Sequence, residues 1–243
     1  MLFRSLSIQR NANGRRVIFL DKDNIYEYVT LPEVISNKFQ KGVISFTHFS
    51  DIIRVELLRK YGGLWIDAAI FVTKPIPHYE GYFFSPRLSL ALQDSPHMGQ
   101  WVMGVMGTTP AMALFNYMHD MLDAYWKKYD VVFHYLMFDY FIRYGYEHLH
   151  WVKVLMDNRA IESPNLHSTR YTFNQEVDNE RLDDLLKNNT FLSLTYRIPY
   201  PRKTNNGKDT YYSALLKKYD YNEKYKQIGG GNFQMYYHIK VAC

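Results

Sequence analysis

An α/β architecture is what this sequence predicts, on three observations. Short apolar runs that end in acids alternate with longer stretches whose apolar residues recur at three-to-four spacing. Glycine, proline and asparagine punctuate the joints between them. The chain's 243 residues suffice for one sizeable core, and no internal repeat or low-complexity tract breaks the pattern.

The elements follow in order. Arg16-Val-Ile-Phe-Leu-Asp21, after the turn pair Asn13-Gly14, predicts a buried strand, and residues 41–46 predict a second extended stretch. A helix is expected from about Ser50 to Tyr61, capped by Ser50 or Asp51 and stopped by Gly62-Gly63. Leu64-Trp65-Ile66 then forms a strand that delivers Asp67, and Ile70-Phe71-Val72 is extended. Residues 101–106 predict a further strand. Thr109-Pro110 is expected to open a helix, with Leu114, Phe115, Met118 and Leu122 on its apolar face. Residues 131–144 predict a second, largely apolar helix containing Asp139, and a short helix is expected near residues 213–219. His148 and His150 are placed on one side of a strand, too few ligands for a zinc site.

Composition narrows the function classes. Apolar residues at 47% and charged residues at 22% exclude wholesale disorder. The single cysteine, Cys243, excludes an intramolecular disulfide and suits a reducing compartment. Residues 1–16 lack the continuous apolar stretch of a signal peptide, and no apolar run approaches the ~18–20 residues a bilayer span needs. The expected location is the cytoplasm, including the cytoplasmic face of a membrane. Net charge is +5, and residues 196–226 hold eight Lys/Arg against three acids, interleaved with tyrosines. Such a segment suits a phosphate-bearing partner or is a solvated charged surface.

The chemistry concentrates in Ser50-Asp51-Ile-Ile-Arg54 and Gly62-Gly63-Leu-Trp65-Ile-Asp67. Asp51 and Arg54, three apart on the expected helix, share a face and would lie in its first turn. The glycines reverse the chain into a strand whose carboxyl end presents Asp67, where α/β sheets bind ligands. Asp139, inside an apolar run, is either a buried hydrogen-bonded acid or an acceptor-site residue.

The pattern S-D-x-x-R, an apolar helix, then G-G-x-W-x-D resembles the core of the capsular polysaccharide synthesis proteins. These are related to glycosyltransferase family 32, sugar transferases with a DXD-type motif. Weaker likenesses extend over most of the chain, through Tyr28-Val-Thr-Leu-Pro32, Gln100-Trp101, residues 133–140 and Leu194-Thr-Tyr-Arg197. The resemblance implies one GT-A-like domain over residues 1–243, a mixed central sheet flanked by helices. Its donor core would occupy about 16–75, its helical acceptor part about 100–160 and its basic segment 196–226. It implies transfer of a sugar from a nucleotide-sugar donor, UDP-linked, with retention, to a capsular or other surface polysaccharide or its lipid-linked precursor. Peripheral contact with the inner membrane would follow, and no nucleic-acid partner.

Residue by residue, Asp51 and Arg54 match positions that hold the donor sugar, and Asp67 matches the first acid of the DXD motif. Trp65 would pack beside the nucleotide or brace the turn. Ala69 stands where the second DXD acid would be, so Mn²⁺ or Mg²⁺ would draw its remaining ligands from diphosphate and water. Arg197, Arg202 and Lys203 are then candidate diphosphate contacts. Family members also begin with an I-W-x-x-W-type strand that this sequence does not show. The alternatives are a degenerate, non-catalytic relative and a basic-aromatic nucleic-acid binder.

Overall fold

The computed structural model describes residues 3–79, 83–88, 94–159, 162–195 and 197–221 in full, and residues 2 and 238–242 as backbone. Tyr196, residues 222–226 of the basic segment, and Cys243 lie outside the described residues. The elements are α1 (Leu2–Arg10), β1 (Arg16–Leu20), α2 (Ile25–Tyr28), α3 (Glu33–Gln40), α4 (Phe46–Tyr61), β2 (Gly63–Ile66), β3 (Ile70–Val72), β4 (Phe83–Phe84) and β5 (Val105–Thr108). Then come α5 (Ala113–Lys128), α6 (Met137–His148), α7 (His150–Asp157), α8 (Thr169–Thr172), α9 (Asn179–Asn188), β6 (Phe191–Ser193), α10 (Tyr211–Lys218) and β7 (His238–Ala242).

The result is an α/β protein of small sheets flanked by helices, in two compact units. One comprises Met1–Gly14, Ala68–His78 and Ile161–Gln234. In it β3 and β6 pair antiparallel, and Phe71, Phe173, Leu192, Leu194, Tyr211 and Leu215 form the core. The other comprises Arg15–Asp67, Tyr79–Ala160 and Met235–Cys243, and holds a sheet of order β1-β7-β2-β5-β4.

That sheet is antiparallel at every described pair rather than mixed. β1 and β2 run the same way, but β7 enters between them and pairs with both. As an edge strand, β1 buries only Leu20, so the apolar run 16–21 is not the fully buried strand expected of it. β2 is central, and all four of its residues are buried.

Helix α4 organises this unit. Its cap is Ser45, whose Oγ accepts from His48 N at 3.4 Å, so the helix starts four residues before the expected Ser50. Residues 41–45 form a turn instead of a strand. Ten of the eleven residues from His48 to Leu58 are buried, which explains why the sequence shows no clean polar stripe there. Gly62 ends the helix at φ 61°, donating to Leu58 O at 2.9 Å.

Other boundaries also moved. α5 begins at Ala113, not at Thr109-Pro110, because Ala111 N donates to Arg59 O and holds that turn against the end of α4. Residues 101–104 are irregular and only 105–108 pair. α6 starts at Met137, six residues into the expected helix. His148 and His150 end one helix and begin the next; in place of the expected strand stands α7, which buries Val152 and Met156.

Gly62 tolerates no side chain. A Cβ there would lie 2.7 Å from both Pro110 N and Thr108 O, in a left-handed backbone. Gly62→Ala is expected to lower unfolding free energy by about 2–4 kcal/mol in urea titrations. A loss below about 0.5 kcal/mol would show that the α4–β2 reversal yields freely.

Candidate functional site

The interior position of α4 forces its charged residues into apolar surroundings, so each must find a partner. Asp51 and Arg54 are 3% exposed at their side chains, and Arg54 Nη1 donates to Asp51 Oδ1 at 2.7 Å. Asp51 and Arg54 are the sixth and ninth residues of α4, so the pair lies in the second and third turns rather than at the dipole end expected for it.

β2 carries Asp67 to the same guanidinium. Arg54 Nη2 donates to Asp67 Oδ1 at 3.3 Å, and Trp65 Nε1 donates to the same oxygen at 2.8 Å. Asp67 N donates to Gly104 O at 2.8 Å, closing the chain behind it. Gly104 stands so close that a Cβ would lie 3.0 Å from Asp67 Oδ2. Unlike its neighbours, the Asp67 side chain is 35% exposed. Asp67 is the carboxylate of this cluster that meets solvent.

Aromatic rings complete the surroundings. The Arg54 guanidinium carbon sits 4.9 Å from the Trp65 ring centre and 5.2 Å from that of Phe138. Trp65 therefore braces Arg54 and Asp67 from a position that is 1% exposed. On α6, Asp139 is buried, and its Oδ1 accepts from Trp101 Nε1 at 2.7 Å. His48, 4% exposed, pairs its Nδ1 with Ser45 Oγ at 2.7 Å, and its Nε2 is buried without a hydrogen-bond partner.

The charges are in tension. Burial is the strongest influence on Asp51 and raises its pKa, the Asp67 charge acting the same way and Arg54 opposing. Burial also works against charge on Arg54, but Asp67 and Asp51 outweigh it and hold the guanidinium protonated. Asp139 is pushed up to about 7, chiefly by burial, with the Trp101 hydrogen bond pulling it down and the Asp51 charge raising it.

Asp51, Arg54, Trp65 and Asp67 thus meet in one cluster, with Asp139 beside it electrostatically. Arg197, Arg202 and Lys203 belong to the other unit. All three are exposed, and Lys203 pairs with Asp209 at 3.1 Å. Lys208, Lys217 and Lys218 are likewise paired, with Glu176, Asp209 and Asp183, so acids outside the basic segment offset part of its charge.

Phe138, Trp101 and Gly104 were not legible as partners of the cluster, because each reaches it from a distant part of the chain. Among the described residues no group of three His, Cys, Asp or Glu side chains could hold a metal ion. Asp67 Oδ1 already accepts from two donors, leaving at most Oδ2 for a cation, far short of the six ligands Mg²⁺ takes. The described residues do not build a metal site on their own.

No helix among the described residues is long and apolar enough to cross a membrane. A family model described as capsular polysaccharide synthesis protein matches residues 4–215. No curated protein and no solved structure gives a significant match to the chain.

Asp139 generates a test. Its carboxyl keeps a proton in the folded chain up to about pH 7, whereas the unfolded chain releases it near pH 4. The folded state therefore binds more protons between those limits, and stability falls as pH rises through them. Asp139→Asn keeps an acceptor for Trp101 and removes the titration. Its melting temperature, relative to the unmodified chain, should rise between pH 4 and pH 7, by ~2–4 °C for each kcal/mol. A difference that stays constant over that range would place the titration elsewhere.

Proposed function

Since the chain belongs to the family of capsular polysaccharide synthesis proteins, we propose that it transfers a sugar from a nucleotide-sugar donor, UDP-linked, to a surface polysaccharide or its lipid-linked precursor. The observation that carries this reading is the Asp67 carboxylate. It is held from behind by Arg54 and Trp65 while a third of its side chain stays open. A carboxylate held in place at one oxygen, with about a third of its side chain exposed, suits hydrogen bonding to the hydroxyls of a ribose or hexose.

In this reading Asp67 touches the donor, and Asp51 and Arg54 act through it as positioning residues, since both are buried. The acceptor hydroxyl attacks the anomeric carbon, the bond to the diphosphate breaks, and the hydroxyl proton passes to the departing diphosphate oxygen. Attack on the same face gives retention and needs no enzymic base. Arg197 and Arg202, both exposed, are proposed as contacts to phosphate.

A second reading, a binding protein without turnover, is favoured by the enclosure of Asp51 and Arg54. It differs in one measurement. Release of UDP from a panel of UDP-sugars, with and without Mn²⁺, is expected for the unmodified chain and should fall at least 100-fold in Asp67→Asn, with the melting temperature kept. UDP binding without release from any panel member would establish the second reading.

Arg54→Lys keeps the charge but loses the planar fork that spans two carboxylates. UDP affinity should drop about 3- to 30-fold by calorimetry, equivalent to ~0.7–2 kcal/mol. Unchanged affinity would remove Arg54 from the role of holding Asp67.

A further inference from the structure

α6 has an outward face that an ordinary amphipathic helix would make polar. Met137, Phe138, Phe141 and Ile142 are buried beneath, yet Tyr140 and Tyr144 project outward at 36% and 54% exposure, one turn apart. The segment leading into α6 adds Phe133 and Tyr135, each 52% exposed. Leaving four large rings in water is unfavourable unless something covers them, and contiguous exposed apolar surface marks a binding site.

These rings are braced. Phe133 lies 5.7 Å from the Tyr125 ring and 6.0 Å from that of Phe141, and it meets Tyr140 at 5.9 Å. Tyr144 rests on His148 at 4.5 Å. Tyr135 meets the His48 ring at 6.4 Å, one turn of α4 before Asp51. The aromatic strip therefore begins at the buried charge cluster and runs outward along α6.

Charge selects the occupant. Three cations around the strip are answered by acids: Lys38 pairs with Asp130 at 2.8 Å, Lys127 with Asp123 at 2.6 Å and Arg143 with Glu147 at 2.7 Å, while Lys128 lies over the Tyr129 ring at 5.2 Å. An anionic bilayer or nucleic acid would require a surplus of positive charge. A surface of near-balanced charge, dominated by tyrosine, matches an uncharged saccharide. The C–H face of a pyranose lies flat on an aromatic ring, while its hydroxyls bond to phenol oxygens at the edge.

We propose that Phe133, Tyr135, Tyr140 and Tyr144 form a docking track for an uncharged saccharide chain, the acceptor of the transfer. This rests on the sugar-transfer reading for the word acceptor; saccharide docking itself is measured without a donor.

The test titrates the full chain by calorimetry with cellohexaose, maltohexaose and laminarihexaose, and separately with UDP. At least one hexaose should bind. The Tyr140→Ala/Tyr144→Ala variant should lose affinity for it at least tenfold, and Tyr140→Phe/Tyr144→Phe should stay within about threefold. Both variants should keep the melting temperature and UDP affinity of the parent. Binding to none of the hexaoses, or equal affinity in the alanine variant, overturns the track. Tyrosine-dependent sedimentation with phosphatidylglycerol vesicles, or tyrosine-dependent dimers in light scattering, overturns it in favour of a membrane or a second copy. Hexaose binding without UDP binding would sink the donor reading and leave the track standing.

Discussion

One guanidinium shared between two carboxylates is the constraint on which the rest of this site depends. Arg54 bonds Asp51 on its own helix and Asp67 at the end of β2, with Trp65 and Phe138 against its faces. Burying an ion pair costs several kcal/mol of desolvation per charge, so the arrangement is a poor device for stability alone. The burial ends at Asp67, whose side chain is partly open. Arg54 Nε stays buried with no hydrogen-bond partner, so the fork is aimed at the two acids at the expense of its third edge.

Backbone features far from the charges make this possible. Ser45 fixes the start of α4 and Gly62 its end, which sets the register of Asp51 and Arg54 relative to β2. Gly104, lacking a side chain, lets its carbonyl tie the Asp67 amide while its α-carbon passes the carboxylate closely. The positioning is thus distributed over a cap, a reversal and a close approach. A second buried carboxylate on α4, Glu56, shows the same rule with other partners: Arg59 at 2.7 Å and His119 at 2.5 Å. Each of these interior charges on the helix has an ionic partner.

The sequence made the meeting of Asp51, Arg54 and Asp67 legible, because spacing on a helix and a glycine-stopped reversal are local properties. It also located α4, β2, β3, α5 and α10 within a few residues. It did not reveal that α4 is buried all round, which depends on how much surface other segments cover. α1, α3, α9 and β6 went unread, and α7 was mistaken for a strand because eight residues are too few for periodicity to separate the two. The antiparallel order of the sheet was hidden for another reason: β7 comes from the far end of the chain and inserts between β1 and β2. Trp101 and Phe138 were visible as aromatics, but their partners, Asp139 and Arg54, are set by tertiary packing alone.

A double-mutant cycle on UDP affinity probes the shared guanidinium most directly, with calorimetry on Asp51→Asn, Asp67→Asn and the combined variant. If Asp51 serves the donor by holding Arg54 against Asp67, its loss should matter little once Asp67 is neutral, giving a coupling of at least ~1 kcal/mol. Additive losses, with coupling near zero, would mean that the two carboxylates act independently and that the buried chain of charges does not govern the open one.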